Sequence, residues 1–244
     1  MGRYSLRRRS LGRHDPCRRV AWKCRAAYGN LFSYTSKETM TMTTDRREAL
    51  VEDIVQAELA MFLAVRNRGG VSPCQELPGT FRIMREMTHG VLALPFLEAY
   101  RDDLRKAAEA GRNLMTEKYA LMEGLLQTKA QDPRIEDIVA IESAWRAEVA
   151  AQHPDIIGAD GEEGFRRYLG CELQTYSPEA LAAYADCVDT ARHEGRNLVL
   201  ERYDLLMRKL GRASLQPGVP DRGRCPGKGP DEGSGGGANG GGDA

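Results

Sequence analysis

The chain has 244 residues, 41% of them hydrophobic and 29% charged, with 35 basic side chains against 35 acidic ones. That length supports one or two domains with a proper core, and no apolar run approaches the roughly 18 residues of a membrane-spanning helix, which argues against an integral membrane protein. Six irregularly spaced cysteines are too sparse for a disulfide-stapled mini-protein.

The neutral total divides into three unlike segments. Residues 1–44 hold ten Lys/Arg against Asp15 and Glu38, a net +8. Residues 45–211 hold 21 basic and 29 acidic residues, a net −8, and residues 212–244 balance four against four. The leader has no helical or strand period. Arg7-Arg8-Arg9 is not followed by the apolar run of an export signal, because His14-Asp15-Pro16 stands where it would begin. Periodic sequence starts at Asp45, so a true start near Met40 or Met42 is expected, with a disordered basic arm as the alternative. The Gly/Pro-rich stretch 212–244 reads as a disordered tail. An acidic body argues against nucleic acid as the main partner.

The first element is an amphipathic helix. Ile54, Val55, Glu58, Met61, Phe62 and Val65 recur at three- and four-residue spacing, with Asp45 as N-cap and Glu48 as its capping-box partner. Asn67, Gly69-Gly70 and Pro73 end it. A shorter helix is predicted from Thr80 to Val91. The third is long: Leu97, Tyr100, Leu104, Ala107, Gly111, Leu114, Leu121 and Leu125 keep one stripe in phase. That phase favours an unbroken helix with Gly111 at a close crossing. The alternative is two helices with Asn113 and Asn197 as N-caps.

A shift of 84 lays Val51–Glu123 on Ile135–Met207 without a gap, with 21 identities in 73 pairs. Glu52-Asp53-Ile54-Val55 falls on Glu136-Asp137-Ile138-Val139, Glu58 on Glu142, and Gly111-Arg112-Asn113-Leu114 on Gly195-Arg196-Asn197-Leu198. Chance does not produce such runs in sequence of this complexity. The expected fold is all-α: two three-helix repeats, about 48–126 and 132–210, related by a pseudo-twofold and forming one bundle within a single domain, 45–211. Ser177 should cap the second long helix, with Pro178 at its first position.

Several repeated residues carry chemistry. Glu58 and Glu142 sit inside an apolar stripe, and Glu117 and Glu201 lie one turn from leucines. Neither copy has the Glu-x-x-His pairs of a di-metal bundle, so no metal or other cofactor is expected. A buried carboxylate needs a partner, and Arg82, Arg112, Arg166 and Arg196 recur in matching positions, which predicts internal Glu–Arg pairs. The competing reading is a ligand site in which those arginines, with Glu117, Glu201, Tyr119 and Tyr203, bind a small anion. A cavity separates the two readings. The first copy alone carries Gly69-Gly70-Val71-Ser72-Pro73-Cys74-Gln75, where Cys74 is a candidate nucleophile with His89 the nearest base in sequence, although a lone cysteine is more often inert. Cys171 and Cys187 read as core residues. There is no phosphate-cradling glycine loop, no serine nucleophile elbow and no zincin pair.

Glu52-Asp53-Ile54-Val55 through Glu58, the Gly-Gly…Cys74-Gln75 loop, Thr80-Phe81-Arg82-Ile83-Met84-Arg85 and Gly111-Arg112-Asn113-Leu114-Met115-Thr116-Glu117-Lys118-Tyr119 together resemble the bacterial domain-of-unknown-function family 4125. The resemblance covers about residues 48–210. It departs after Arg85, at Met87-Thr88-His89-Gly90, which speaks against a role for the second helix. It implies a bacterial, cytoplasmic setting and no established activity. Some members resemble partners of nucleotidyltransferase-like domains, so such a protein is a candidate partner. The expected function is a cytoplasmic binding or accessory protein that recognises a small anionic ligand or a protein partner through the cleft between repeats. The alternative is an enzyme with Glu58 or Glu142 as general base and Arg112 or Arg196 holding an anionic substrate.

Overall fold

Among the described residues eight helices make up the regular structure and no strand occurs. A computed structural model describes residues 44–216, except 68–69, 128–131 and 159–160. The basic leader up to residue 43 and the tail from 217 lie outside the described residues. The chain divides into two units, residues 1–49 and 50–244. Of the first, only 44–49 are described, and these are helical.

Helix α1 occupies 44–63. Residues 44 and 45 are already helical, so Asp45 does not act as the expected N-cap. The remaining helices are α2 (Pro78–His89), α3 (Leu94–Glu109), α4 (Leu114–Met122), α5 (Pro133–Gln152), α6 (Glu162–Leu173), α7 (Pro178–His193) and α8 (Leu198–Lys209). Proline opens α2, α3, α5 and α7, where its missing N–H is not needed. Ser177 caps α7 as predicted, its hydroxyl accepting from the Ala180 amide at 3.2 Å.

The unbroken third helix, and with it the three-helix repeat, is corrected. Each long segment is two helices, so the same 84-residue shift that aligns the sequence aligns four helices with four. Gly111 and Gly195 stand at φ +66° and +67°, a left-handed conformation that ends a helix and that side chains other than glycine's resist. Asn113 and Asn197 then cap α4 and α8, each accepting from the amide three residues on. Their amide groups reach back to the Met61 and Trp145 carbonyls, at 2.8 and 3.2 Å. Stripe continuity across the break misleads because both helices pack on one core. Nor are these glycines close crossings, since a methyl group on either would meet nothing within 4 Å. The close crossing is Gly90, where an added Cβ would stand 2.7 Å from the Leu205 side chain.

Packing runs between the halves as well as within the second. Helix α3 lies on α7, α2 on α8, and α4 on α6, while α5 touches α6, α7 and α8. The core is built from Ile54 and Val55 of α1, Phe96, Leu97 and Tyr100 of α3, Ile138 of α5, and Leu181, Tyr184 and Val188 of α7, all nearly or wholly buried.

Candidate functional site

Two glutamates lie at the centre of this core. Glu58 and Glu142 are wholly buried, and a buried carboxylate persists only with partners that replace its water. Arg85 of α2 supplies them for Glu58, its Nε meeting Oε2 at 2.7 Å and its Nη2 meeting Oε1 at 2.5 Å. The Tyr100 hydroxyl donates to Oε1 at 2.8 Å, and His89 Nε2 lies 3.0 Å from Oε2. Arg85 also bonds Glu172 of α6 through Nη2 at 2.6 Å. Glu172 in turn accepts from Lys118 of α4 at 3.3 Å and from the Tyr176 hydroxyl at 3.2 Å. Lys118 donates to the Tyr168 hydroxyl at 2.8 Å. Two carboxylates, two fixed cations and the His89 imidazole thus meet inside one cluster.

The second cluster is smaller. Arg202 of α8 grips Glu142 through Nη1 at 2.6 Å and Nη2 at 3.1 Å, and Tyr184 donates to the same carboxylate at 2.5 Å. Between the clusters Phe96, Tyr100, Tyr176 and Tyr184 stack and cross with centroids 4.8 to 6.1 Å apart. Burial alone would raise the Glu58 carboxyl, but the charges of Arg85 and His89 and their hydrogen bonds outweigh it and hold it far below the usual carboxylate range. Glu172 is likewise raised by burial and brought down by Arg85 and Lys118, to about 2.

The internal Glu–Arg pairs are present, but the expected arginines do not form them. Arg82 pairs on the outside with Glu52 at 2.8 Å, and Arg166 is exposed. The partners of the buried glutamates, Arg85 and Arg202, fall on Leu169 and Lys118 in the other copy. A search confined to identities between copies therefore misses them. The signal was nonetheless in the sequence. Phe81, Arg85 and His89 recur every four residues, and Lys118 sits between Leu114 and Met122, the same inward spacing that singles out Glu58. The second helix, where the family pattern departs, holds two members of the larger cluster.

Arg112 and Glu117 do meet, as do Arg196 and Glu201, in paired hydrogen bonds of 2.6 to 2.8 Å near the surface. Tyr119 and Tyr203 are partly buried against the core. Cys74 is exposed on a turn, whereas His89 is enclosed beside Glu58. The loop itself is fastened by Gln75, whose amide donates to the Phe62 and Val65 carbonyls at 3.0 Å and accepts from Asn67 and the Ser72 amide. It thereby ties the loop to carbonyls at the end of α1, where the helix leaves acceptors under-used. Among the described residues no three His, Cys, Asp or Glu side chains gather as a metal would require.

Among the described residues, open cavities lie beside Arg112 and beside Arg196. The larger, about 360 Å³, is lined by Arg112, Glu117, Leu121, Leu126, Gln127, Gln174 and Thr175, and so joins α4 to the end of α6. The other, about 260 Å³, includes Arg196, Val91, Pro95, Asp186, Cys187 and Thr190. Arg112 and Thr175 of the first are related to Arg196 and Val91 of the second by the 84-residue shift. No helix among the described residues is long and apolar enough to cross a membrane.

The sequence model of one family, described as a protein of unknown function (DUF4125), matches residues 48–217. No curated protein and no solved structure matches the chain.

Proposed function

We propose that this chain, which belongs to the DUF4125 family, is a binding or accessory protein that takes a small charged ligand in the cavity between α4 and the end of α6. The observation that carries this reading is the cavity itself: an arginine–glutamate pair lining a space of about 360 Å³, at the low end of ligand-pocket volumes. The same pair in a closed wall would be structural only. A general-base enzyme has less support. Glu58 and Glu142 are sealed in the core, both oxygens of each are hydrogen-bonded, and the Glu58 carboxyl is held too acidic to accept a proton readily.

We also infer that the two repeats are related by a pseudo-twofold. The reciprocal packing supports it: α2 lies on α8 as α6 lies on α4, and α3 meets its own counterpart α7. A cytoplasmic setting belongs to this reading. A protein partner, for which the resemblance suggests a nucleotidyltransferase-like protein, is the second reading. It is favoured by Leu63, Val71 and Leu77, all about half exposed or more and flanking the Cys74 loop in sequence.

A thermal-shift screen of the full chain against small carboxylates and phosphates tests the ligand reading. A ligand at about a hundred times its Kd adds about 2.7 kcal/mol of stability. The expected result is an anion that raises the melting temperature of the wild type and of Arg196→Gln but not of Arg112→Gln. If no anion stabilises the wild type, the ligand reading fails.

A further inference from the structure

Resting on the second of those readings, we propose that the surface at the start of α2 seats a partner helix that is apolar on one face and basic on the other. Four large apolar side chains gather at one end of α1. Gln75 ties the loop to the Phe62 and Val65 carbonyls at 3.0 Å, and the Phe62 and Phe81 rings stack with centroids 4.3 Å apart, which fastens α2 beside α1. Leu63 follows Phe62 on α1 and Val71 stands in the loop. Leu77 and Met84 lie one turn to either side of Phe81, on the same face of α2. Val71 is 72% exposed and Leu77 59%, and Leu63 and Met84 are open as well. From Gly70 to Phe81 the only charged residue is Glu76.

The fold itself does not ask for these residues. The 84-residue shift places Ala147, Asp155 and Gly161 where the first copy has Leu63, Val71 and Leu77, and all three are exposed. Leu77 also works against its own helix. It stands at the N-cap of α2 with no side-chain hydrogen bond, and no acidic residue follows in the first turn. Asn113, Asp132, Ser177 and Asn197 by contrast cap α4, α5, α7 and α8. An exposed leucine in place of a capping side chain costs stability, and burial under a partner offsets that cost. Area and charge select the occupant. The four side chains present a few hundred Å² of apolar surface, the size of a functional patch on a monomer and well short of the roughly 800 Å² that each partner of a standard interface buries. A second copy set face to face would be held by too little. One face of a short helix, with apolar residues spaced by three and four, covers such a patch. The outer side of that helix would lie over a folded body, residues 45–211, of net charge −8, which favours lysine and arginine there.

The test is to pan the full chain with a display library of random peptides of about 16 residues, some four turns of helix. The selected peptides should carry apolar residues at helical spacing and a net positive charge, and should slow alkylation of the exposed Cys74 in the adjoining loop. Leu77→Asp and Met84→Asp should each weaken their binding about tenfold or more. Leu77→Asp should do so without lowering the melting temperature, because it supplies the missing cap. Exchanging a peptide's lysines for glutamates should weaken it further at low salt and less at high salt. Peptides that need Leu77 and Met84 but are extended or acidic overturn the basic helix and leave the partner surface standing. Peptides that bind both variants as tightly as the wild type overturn both, as does a library that yields none. A full chain that sediments as a dimer and falls to a monomer on Leu77→Asp overturns the partner helix too, the second copy being the occupant.

Discussion

A buried cation that loses its carboxylate is left with whatever partners remain, and the two clusters differ in that remainder. Glu142→Gln strips Arg202 of the one carboxylate it touches among the described residues, where its Nε is already without a partner. Glu58→Gln leaves Arg85 still bonded to Glu172. Breaking a buried pair costs about 3–5 kcal/mol, so Glu142→Gln should fall in that range and Glu58→Gln below it, as read from urea denaturation midpoints. The opposite order would mean that the larger cluster is not a connected unit. Acidity probes the same groups. Unfolded, Glu58 and Glu172 titrate near 4.5, and folded they are held lower by Arg85, with Glu172 at about 2. A folded value below the unfolded one gives stability that is whole above about pH 4.5 and lost as pH falls towards 2. The urea midpoint should therefore drop steeply between about pH 5 and about pH 3, and Glu172→Gln should flatten that drop. That Glu58 and Glu142 point inward was legible from the stripe alone. Spacing also turns Arg85 and Lys118 inward, but which of these residues pair was not legible, because a stripe says which face a residue shares and nothing of which helix lies opposite.

The turn at Gly111 is where sequence pattern and backbone physics part company. Had the helix run through, replacing Gly111 with alanine would have stabilised it by about 1 kcal/mol, alanine being the better helix former. The left-handed conformation reverses the sign. Since a methyl group there meets nothing within 4 Å, strain of about 1–2 kcal/mol is the whole cost. Gly111→Ala should lower the melting temperature, and a rise would restore the single helix. Asn113→Ala removes both the α4 cap and the bond to the Met61 carbonyl, so a loss of about 1–2 kcal/mol is expected by chemical denaturation. The sequence did contain this break, as Gly-Arg-Asn repeated intact in both copies. An apolar stripe in phase on both sides hid it, because two short helices folded against one core need the same inward residues as one long helix. Helix starts were easier to read where proline and serine act locally, as at Ser177-Pro178. Gly90 was the harder case. A methyl group there would stand 2.8 Å from the Glu86 carbonyl oxygen and 2.7 Å from Leu205, more than a hundred residues away in the chain, and no local pattern carries the second contact.

At the scale of the whole molecule, the duplication explains why neither half completes its own core. The buried cluster at Glu58 takes Arg85, Tyr100 and Lys118 from the first repeat but Glu172 and Tyr176 from the second. Helix α2 rests on α8, and α4 on α6. A unit that buries much of its apolar face against the other exposes that face when alone and loses the energy it supplied. A chain that ends at Leu126 would carry Arg85 and Lys118 without Glu172, two cations sharing one buried carboxylate. It should therefore be largely unfolded by far-UV circular dichroism. The one escape is pairing with itself, a second copy standing in for the missing half. Even then the homodimer would face Thr88 where the intact chain presents Glu172, and would leave Lys118 buried without its carboxylate. Sedimentation should show either an unfolded monomer or a dimer much less stable than the whole chain. A folded, monomeric half would refute the reciprocal core. The 84-residue shift made the duplication visible, but the asymmetry that binds the halves together lies in the positions where the copies differ, and those became informative only once both were seen packed face to face.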